Sequence, residues 1–89
     1  MEETMSETKA APEGITPTRT LDAKGLSCPM PLLRTKKEMD KLNAGDILEI
    51  LGTDPGSRND MPGWCTRSGN VYLGEKEDAG FFRFYIQKQ

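Results

Sequence analysis

Histidine is absent from these 89 residues, and cysteine occurs only twice, at positions 28 and 65. Without an imidazole, Cys–His nucleophilic catalysis is excluded. Two cysteines alone cannot complete a four-ligand structural zinc site unless carboxylates or a second chain contribute. No cysteine stands at position 31, so the C-x-x-C dithiol switch of a thioredoxin-like oxidoreductase is missing too. The longest apolar run, ILEIL at 47–51, contains Glu49 and is strand length, far below the roughly 20 residues that span a bilayer. The N-terminal residues carry acids and no apolar stretch of the secretory kind, so the expected compartment is the cytoplasm, where both thiols stay free. There is no basic excess either. A net charge of −2 and a pI of about 5.1 argue against binding through phosphate neutralisation. Aromatic residues are 7% of the chain and hydrophobic ones 35%. That suffices for one small domain with a thin core, a sheet face covered by helices and no deep pocket, so any chemistry belongs near the surface.

What is present divides unevenly along the chain. Residues 1–17 hold Glu2, Glu3, Glu7 and Glu13 against Lys9, net −3, so the total of −2 leaves +1 for the rest. Their Glu, Thr, Ser, Ala and Pro cannot offset the entropy of ordering, which predicts a flexible acidic tail over 1–17 and a folded domain over 18–89. In TRTLDAKG, Leu21 and Ala23 alternate with polar neighbours, and Gly25 ends a short strand. From Pro29 to Asn43 the spacing turns helical. Leu32, Thr35, Met39 and Leu42 form a stripe that Leu33 and Lys36 widen, with Lys41 in the last turn and Gly45 as the stop. DILEIL, 46–51, reads as a central strand buried on both faces.

The following stretch opens with the turn formers Asp54, Pro55 and Gly56 and must then accommodate Pro62. Proline fits a first helical turn, which predicts a short second helix starting near Asp60 and capped by Asp60 or Asn59, with Met61, Trp64, Cys65 and Ser68 on one face and Gly69 at its end. NVYLGEKE and FFRFYIQK read as a hairpin joined by three residues, Asp78, Ala79 and Gly80. In the last strand Phe82, Phe84 and Ile86 face one side and Phe81, Arg83, Tyr85 and Gln87 the other, where Phe81 and Tyr85 would be exposed. The order β-α-β-α-β-β gives an α/β two-layer sandwich, a mixed four-stranded sheet with two helices on one face.

Cys28 stands directly ahead of Pro29 and Pro31 at the start of the first helix. The first amides of a helix lack intrahelical acceptors, so these prolines remove donors that would be orphaned, stiffen the turn and aim the sulfur outward. The positive end of the helix dipole, with Arg34, Lys36 and Lys37 nearby, is expected to favour the thiolate. Arg34, Lys36, Lys37 and Lys41 read either as a solvated helix face or as a docking surface for acidic partners. Cys65 reads as a small core hydrophobe, and Asp54-Pro55-Gly56 as turn chemistry, with partner contact from a loop beside the thiol as its alternative.

Taken together, LDAKGLSCPMPLLRTKK, GDILEI, TDPGSRNDMPGWC and FFRFYIQK resemble the TusA family of sulfur carriers, also called SirA-like, over roughly residues 19–88. The resemblance implies the same two-layer sandwich and a sulfur relay. In it Cys28 matches the cysteine that carries a persulfide, and Pro29 and Pro31 match the prolines that position it. It implies a sulfurtransferase-type carrier rather than an autonomous enzyme, with no cofactor and no metal. The implied donor is a cysteine desulfurase or a rhodanese. The implied acceptors are DsrE-like proteins or enzymes of tRNA thiolation, cofactor synthesis or sulfur oxidation, with no membrane partner. The competing readings are a regulatory or nucleic-acid-binding module independent of the thiol, which the lack of a basic, aromatic-lined surface disfavours, and redox sensing through Cys28 and Cys65.

Overall fold

The alternation of Leu21 and Ala23 with polar residues yields the first strand, β1 (Arg19–Ala23), in which those two side chains are buried and the others exposed. The computed structural model describes residues 14–89; most of the acidic segment expected to be a flexible tail lies outside them. Helix α1 (Met30–Met39), strand β2 (Ile47–Gly52), helix α2 (Ser57–Ser68) and strands β3 (Val71–Asp78) and β4 (Phe81–Gln87) follow, giving the expected order. The sheet runs β1-β2-β4-β3, with β1 parallel to β2 and the other pairs antiparallel. Both helices cover one face, where Leu21, Ala23, Leu48, Ile50, Phe84 and Ile86 meet Met39, Leu42, Met61 and Cys65.

Several boundaries differ from the sequence reading. Helix α1 ends at Met39 rather than Asn43, because the backbone tightens: the amides of Lys41 and Leu42 bond the carbonyls of Glu38 and Met39 three residues back, which drops Leu42 into the core. Lys41 lies beyond the last turn and pairs with Glu38 at 3.5 Å. The buried row of α1 is Pro31, Thr35 and Met39, while Leu33 and Lys36 face solvent instead of widening it. Helix α2 begins at Ser57, three residues before the expected Asp60, and carries Pro62 in its interior. Its first turn grows straight out of the Asp54-Pro55-Gly56 turn through the amides of Ser57, Arg58 and Asn59, so the turn formers themselves nucleate it. Pro62 then deprives only the Arg58 carbonyl of its usual donor. Met61 and Cys65 are buried as expected, but Ser68 is exposed. The hairpin loop is two residues, Ala79 and Gly80, since Asp78 still pairs with Phe81. Gly80 sits at φ 80°, a left-handed conformation that favours glycine.

Strand β2 is central, but its second face is not covered by an apolar layer. Glu49 is buried there and accepts hydrogen bonds from Tyr85 Oη at 2.7 Å, Thr20 Oγ1 at 2.9 Å and Arg83 at 3.3 Å. Tyr85, expected to be exposed, is therefore buried over its cross-strand neighbour Glu49, and Phe81 lies half-buried beneath Lys24 and Arg83. Burial alone would push the Glu49 carboxyl up, but the hydrogen bonds from Tyr85, Thr20 and Arg83 outweigh it and hold it below the usual range. A carboxylate with a lowered folded-state pKa stabilises above its unfolded value, about 4.3, and that contribution is lost as pH falls through the folded value. Glu49→Gln is expected to cost about 1–3 kcal/mol at pH 7 by urea titration and to flatten the acid side of the stability profile below about pH 4.

On the helix-covered side, Arg58 fastens α2 to β3. It donates to the buried Glu75 at 2.7 Å and lies 4.7 Å from the Phe82 ring centroid. This contact fixes the helix that supplies one wall of the site described next.

Candidate functional site

Parallel pairing of Ala23 with Gly52 ends β1 and β2 side by side, so the loops that leave them run together. They are tied by two hydrogen bonds: Gly25 N–H donates to Thr53 Oγ1 at 2.9 Å, and Cys28 N–H donates to Asp54 Oδ2 at 3.0 Å. Gly25 makes the first possible by turning at φ 84°. Gly56 leaves room for the second, since a Cβ there would stand 3.3 Å from the same Asp54 oxygen.

On the other side of the sulfur, Pro29 is the N-cap of α1 and Pro31 lies in its first turn, as the sequence pattern implies. The Pro29 carbonyl accepts the Leu33 amide at 3.0 Å, and Pro31 is buried with its carbonyl taking the Thr35 hydroxyl at 2.8 Å. The Cys28–Pro29 peptide bond is cis. Held by Asp54 behind and by the anchored helix start ahead, Cys28 is exposed, the outward presentation expected from the two prolines.

Its electrostatics are the reverse of the expectation. The thiol donates to Asp60 Oδ2 at 3.2 Å, and Asp60 is the fourth residue of α2. The Cys28 pKa is raised, first by this hydrogen bond, then by desolvation and by the negative charges of Asp60 and Asp54. Two carboxylates close to the sulfur, Asp60 and Asp54, thus raise it where the sequence reading expected the helix start and its cations to lower it. All three cations are exposed on α1 and form no ion pair with a carboxylate among the described residues. Pro29 and Pro31 thus stand at the thiol, while Arg34, Lys36 and Lys37 form no hydrogen bond or ion pair with Cys28, Asp54 or Asp60 among the described residues.

Sequence reasoning missed Asp54 and Asp60 as thiol partners and took Asp60 for a helix cap. The available signal was the strand-loop-helix pattern occurring twice: parallel pairing of the two strands sets the second loop beside the first. It also missed Met30 and Leu33, the large hydrophobics that are exposed among the described residues, at 39% and 48%. With Arg34 and Lys37 they follow the helical i, i+3, i+4, i+7 spacing, which places all four on one face beginning next to Cys28. Cys65 is buried, and burial pushes its thiol up to about 12, as suits a core residue. The described residues enclose no cavity, and no helix among them is long and apolar enough to cross a membrane.

Fold and site together define a small two-layer α/β domain that presents one thiol at its surface between two strand-to-helix loops. Residues 19–88 match the family model described as Sulfurtransferase TusA, and the chain belongs to the TusA family of sulfur carriers. It is 46% identical over 70 residues to YrkI of Bacillus subtilis, a match that covers 79% of this chain and 93% of that protein. It is 43% identical over 68 residues to the sulfur carrier protein TusA of Allochromatium vinosum, covering 76% of this chain and 90% of the relative. The crystal structure of a SirA-like protein from Desulfitobacterium hafniense superposes with a TM-score of 0.65 at 30% identity, over 78% of this chain and 95% of that one. The two-layer sandwich with both helices on one face is the fold of that neighbour.

Proposed function

We propose that Cys28 accepts sulfane sulfur as a persulfide and hands it to a second protein, so that the chain acts as the mobile link of a sulfur relay. The observation that carries this reading is an exposed thiol fixed from both sides, by Asp54 and by the Pro29–Pro31 helix start, in a chain of a sulfur-carrier family. In loading, Cys28 Sγ attacks the outer sulfur of a donor persulfide. A new S–S bond forms as the donor's S–S bond breaks, and the donor cysteine leaves as a thiolate that takes up the proton Cys28 releases. Atoms and electrons balance without an external oxidant or reductant. Unloading is the same exchange with the acceptor's cysteine as nucleophile.

The donor in this reading is a cysteine desulfurase or a rhodanese. The acceptor is a DsrE-like protein or an enzyme of tRNA thiolation, cofactor synthesis or sulfur oxidation, and the relay runs in the cytoplasm. Arg34, Lys36 and Lys37 face solvent and form no ion pair among the described residues, which suits them to docking acidic residues of those proteins. The test is intact-mass spectrometry of the full chain after incubation with cysteine and a cysteine desulfurase, or with thiosulfate and a rhodanese. A gain of one sulfur mass, removed by dithiothreitol and mapped to the peptide holding Cys28, is expected. A chain that gains no sulfur in either reaction, or carries it on Cys65, overturns the reading.

A further inference from the structure

The nucleophilic form of a cysteine is its thiolate, so a carrier whose thiol ionised freely would react with electrophiles and oxidants between partners. The surroundings of Cys28 oppose this. Asp60 from α2 accepts a hydrogen bond from the thiol at 3.2 Å, and Asp54 from the loop after β2 accepts one from the amide of the same residue at 3.0 Å. Neither carboxylate forms an ion pair among the described residues, and the cations of α1, Arg34, Lys36 and Lys37, pair with neither of them. Among the described residues no cation pairs with the negative charge beside the sulfur, and the thiol is exposed where another protein can reach it.

We propose that Asp60 is a positioning residue that latches the proton on Cys28 in the free carrier, and that a partner releases the latch by bringing a lysine or arginine against the carboxylate. The identity of that partner as a sulfur donor rests on the function proposed above, whereas the latch is a property of the free chain. With the cation in place, repulsion between carboxylate and thiolate is neutralised. The proton then passes from Cys28 to the donor's departing thiolate, so that one thiol and one persulfide yield one persulfide and one thiol. The raised pKa of Cys28, led by its hydrogen bond to Asp60, agrees in direction with this geometry. Among the described residues, the charged groups that raise it are Asp60 and Asp54.

The test is the pH profile of Cys28 alkylation by iodoacetamide in the full chain, read by intact mass, for the wild type, Asp60→Asn, Asp60→Lys, Asp60→Glu and Asp54→Asn. Each unit by which the profile midpoint falls raises the thiolate fraction about tenfold below it. Asp60→Asn is expected to alkylate about three- to tenfold faster at pH 7 with a lower midpoint. Asp60→Lys, which supplies the partner's cation within the chain, should react faster still, and Asp60→Glu should restore the wild-type profile. Asp54→Asn, which keeps Asp60, should show a smaller rise, and a larger one than Asp60→Asn would place the latch on Asp54 and overturn the assignment. Superimposable profiles for the wild type and Asp60→Asn would also overturn it. No sulfur donor enters this assay. Failure of the latch therefore leaves the persulfide reading untouched, and failure of sulfur loading leaves the alkylation profiles as they are.

Discussion

Cys28→Ser is expected to gain no sulfur from either donor system while unfolding within about 0.5 kcal/mol of the wild type, the range typical of surface substitutions. The loss is complete because a serine hydroxyl supplies neither a nucleophile at neutral pH nor a sulfur to extend. The fold survives because little of it depends on the sulfur. Cys28 is exposed, the bond to Asp54 comes from its backbone amide, and a serine Oγ can still donate to Asp60. Cys65→Ser should show the opposite pattern. Its side chain is 1% exposed within the core, so a hydroxyl there costs about 1–3 kcal/mol, yet sulfur loading should be unchanged. Intact mass and urea unfolding of the two variants separate the roles. Loading that persists in Cys28→Ser and disappears in Cys65→Ser would transfer the carrier function to the core thiol.

The features legible in the sequence are those set by neighbours along the chain. The alternation around Leu21 and Ala23, the stripe through Thr35, Met39 and Leu42, and the prolines at the helix start that follows the exposed Cys28 all depend on residues within a few positions of one another. The features that were not legible depend on pairs far apart. Asp54 and Asp60 lie 26 and 32 positions from Cys28, and only the parallel register of β1 and β2 brings them to it. Tyr85 is 36 positions from Glu49, and nothing local in FFRFYIQK reveals that a buried carboxylate waits opposite its hydroxyl. Pro62 shows a third case. Propensity argues for a helix beginning close to it, but the turn after β2 already supplies the first helical hydrogen bonds, and the contact of Arg58 with Glu75 and Phe82 anchors that turn against β3 and β4.

The same long-range pairing explains why the chemistry of the thiol inverted while its placement held. Cys28 is exposed directly ahead of the start of α1, where the sequence put it. The carboxylates that raise the thiol pKa, Asp54 and Asp60, come from the loop and helix that follow β2, on the other side of the site. The strand register therefore decides that Asp54 and Asp60 stand beside the thiol, and the site is only as well defined as the end of β2.

That dependence gives the largest stability effect expected in the molecule. Phe84→Ala should cost about 3–5 kcal/mol, a large part of the total for so small a domain, and lower the melting temperature by about 4–8 °C for each kcal/mol lost. Phe84 is fully buried in β4, pairs across the ladder with Ile50 and lies beside Phe82 with ring centroids 6.2 Å apart. Its ring also packs on Gly52, where an added Cβ would come within 3.4 Å of Cε2. Gly52 is the last residue of β2, and Thr53 and Asp54, which hold Gly25 and Cys28, follow it directly. Removing the ring opens a cavity beneath the strand end that aligns the site. Phe84→Ala should therefore load sulfur more slowly even below its melting transition, whereas Phe84→Leu, which retains most of the volume, should lose less stability and load at close to the wild-type rate. Urea unfolding and intact-mass loading at matched fractions folded distinguish the two effects. A loss below about 1 kcal/mol in Phe84→Ala would mean that the ring does not fill the core as described.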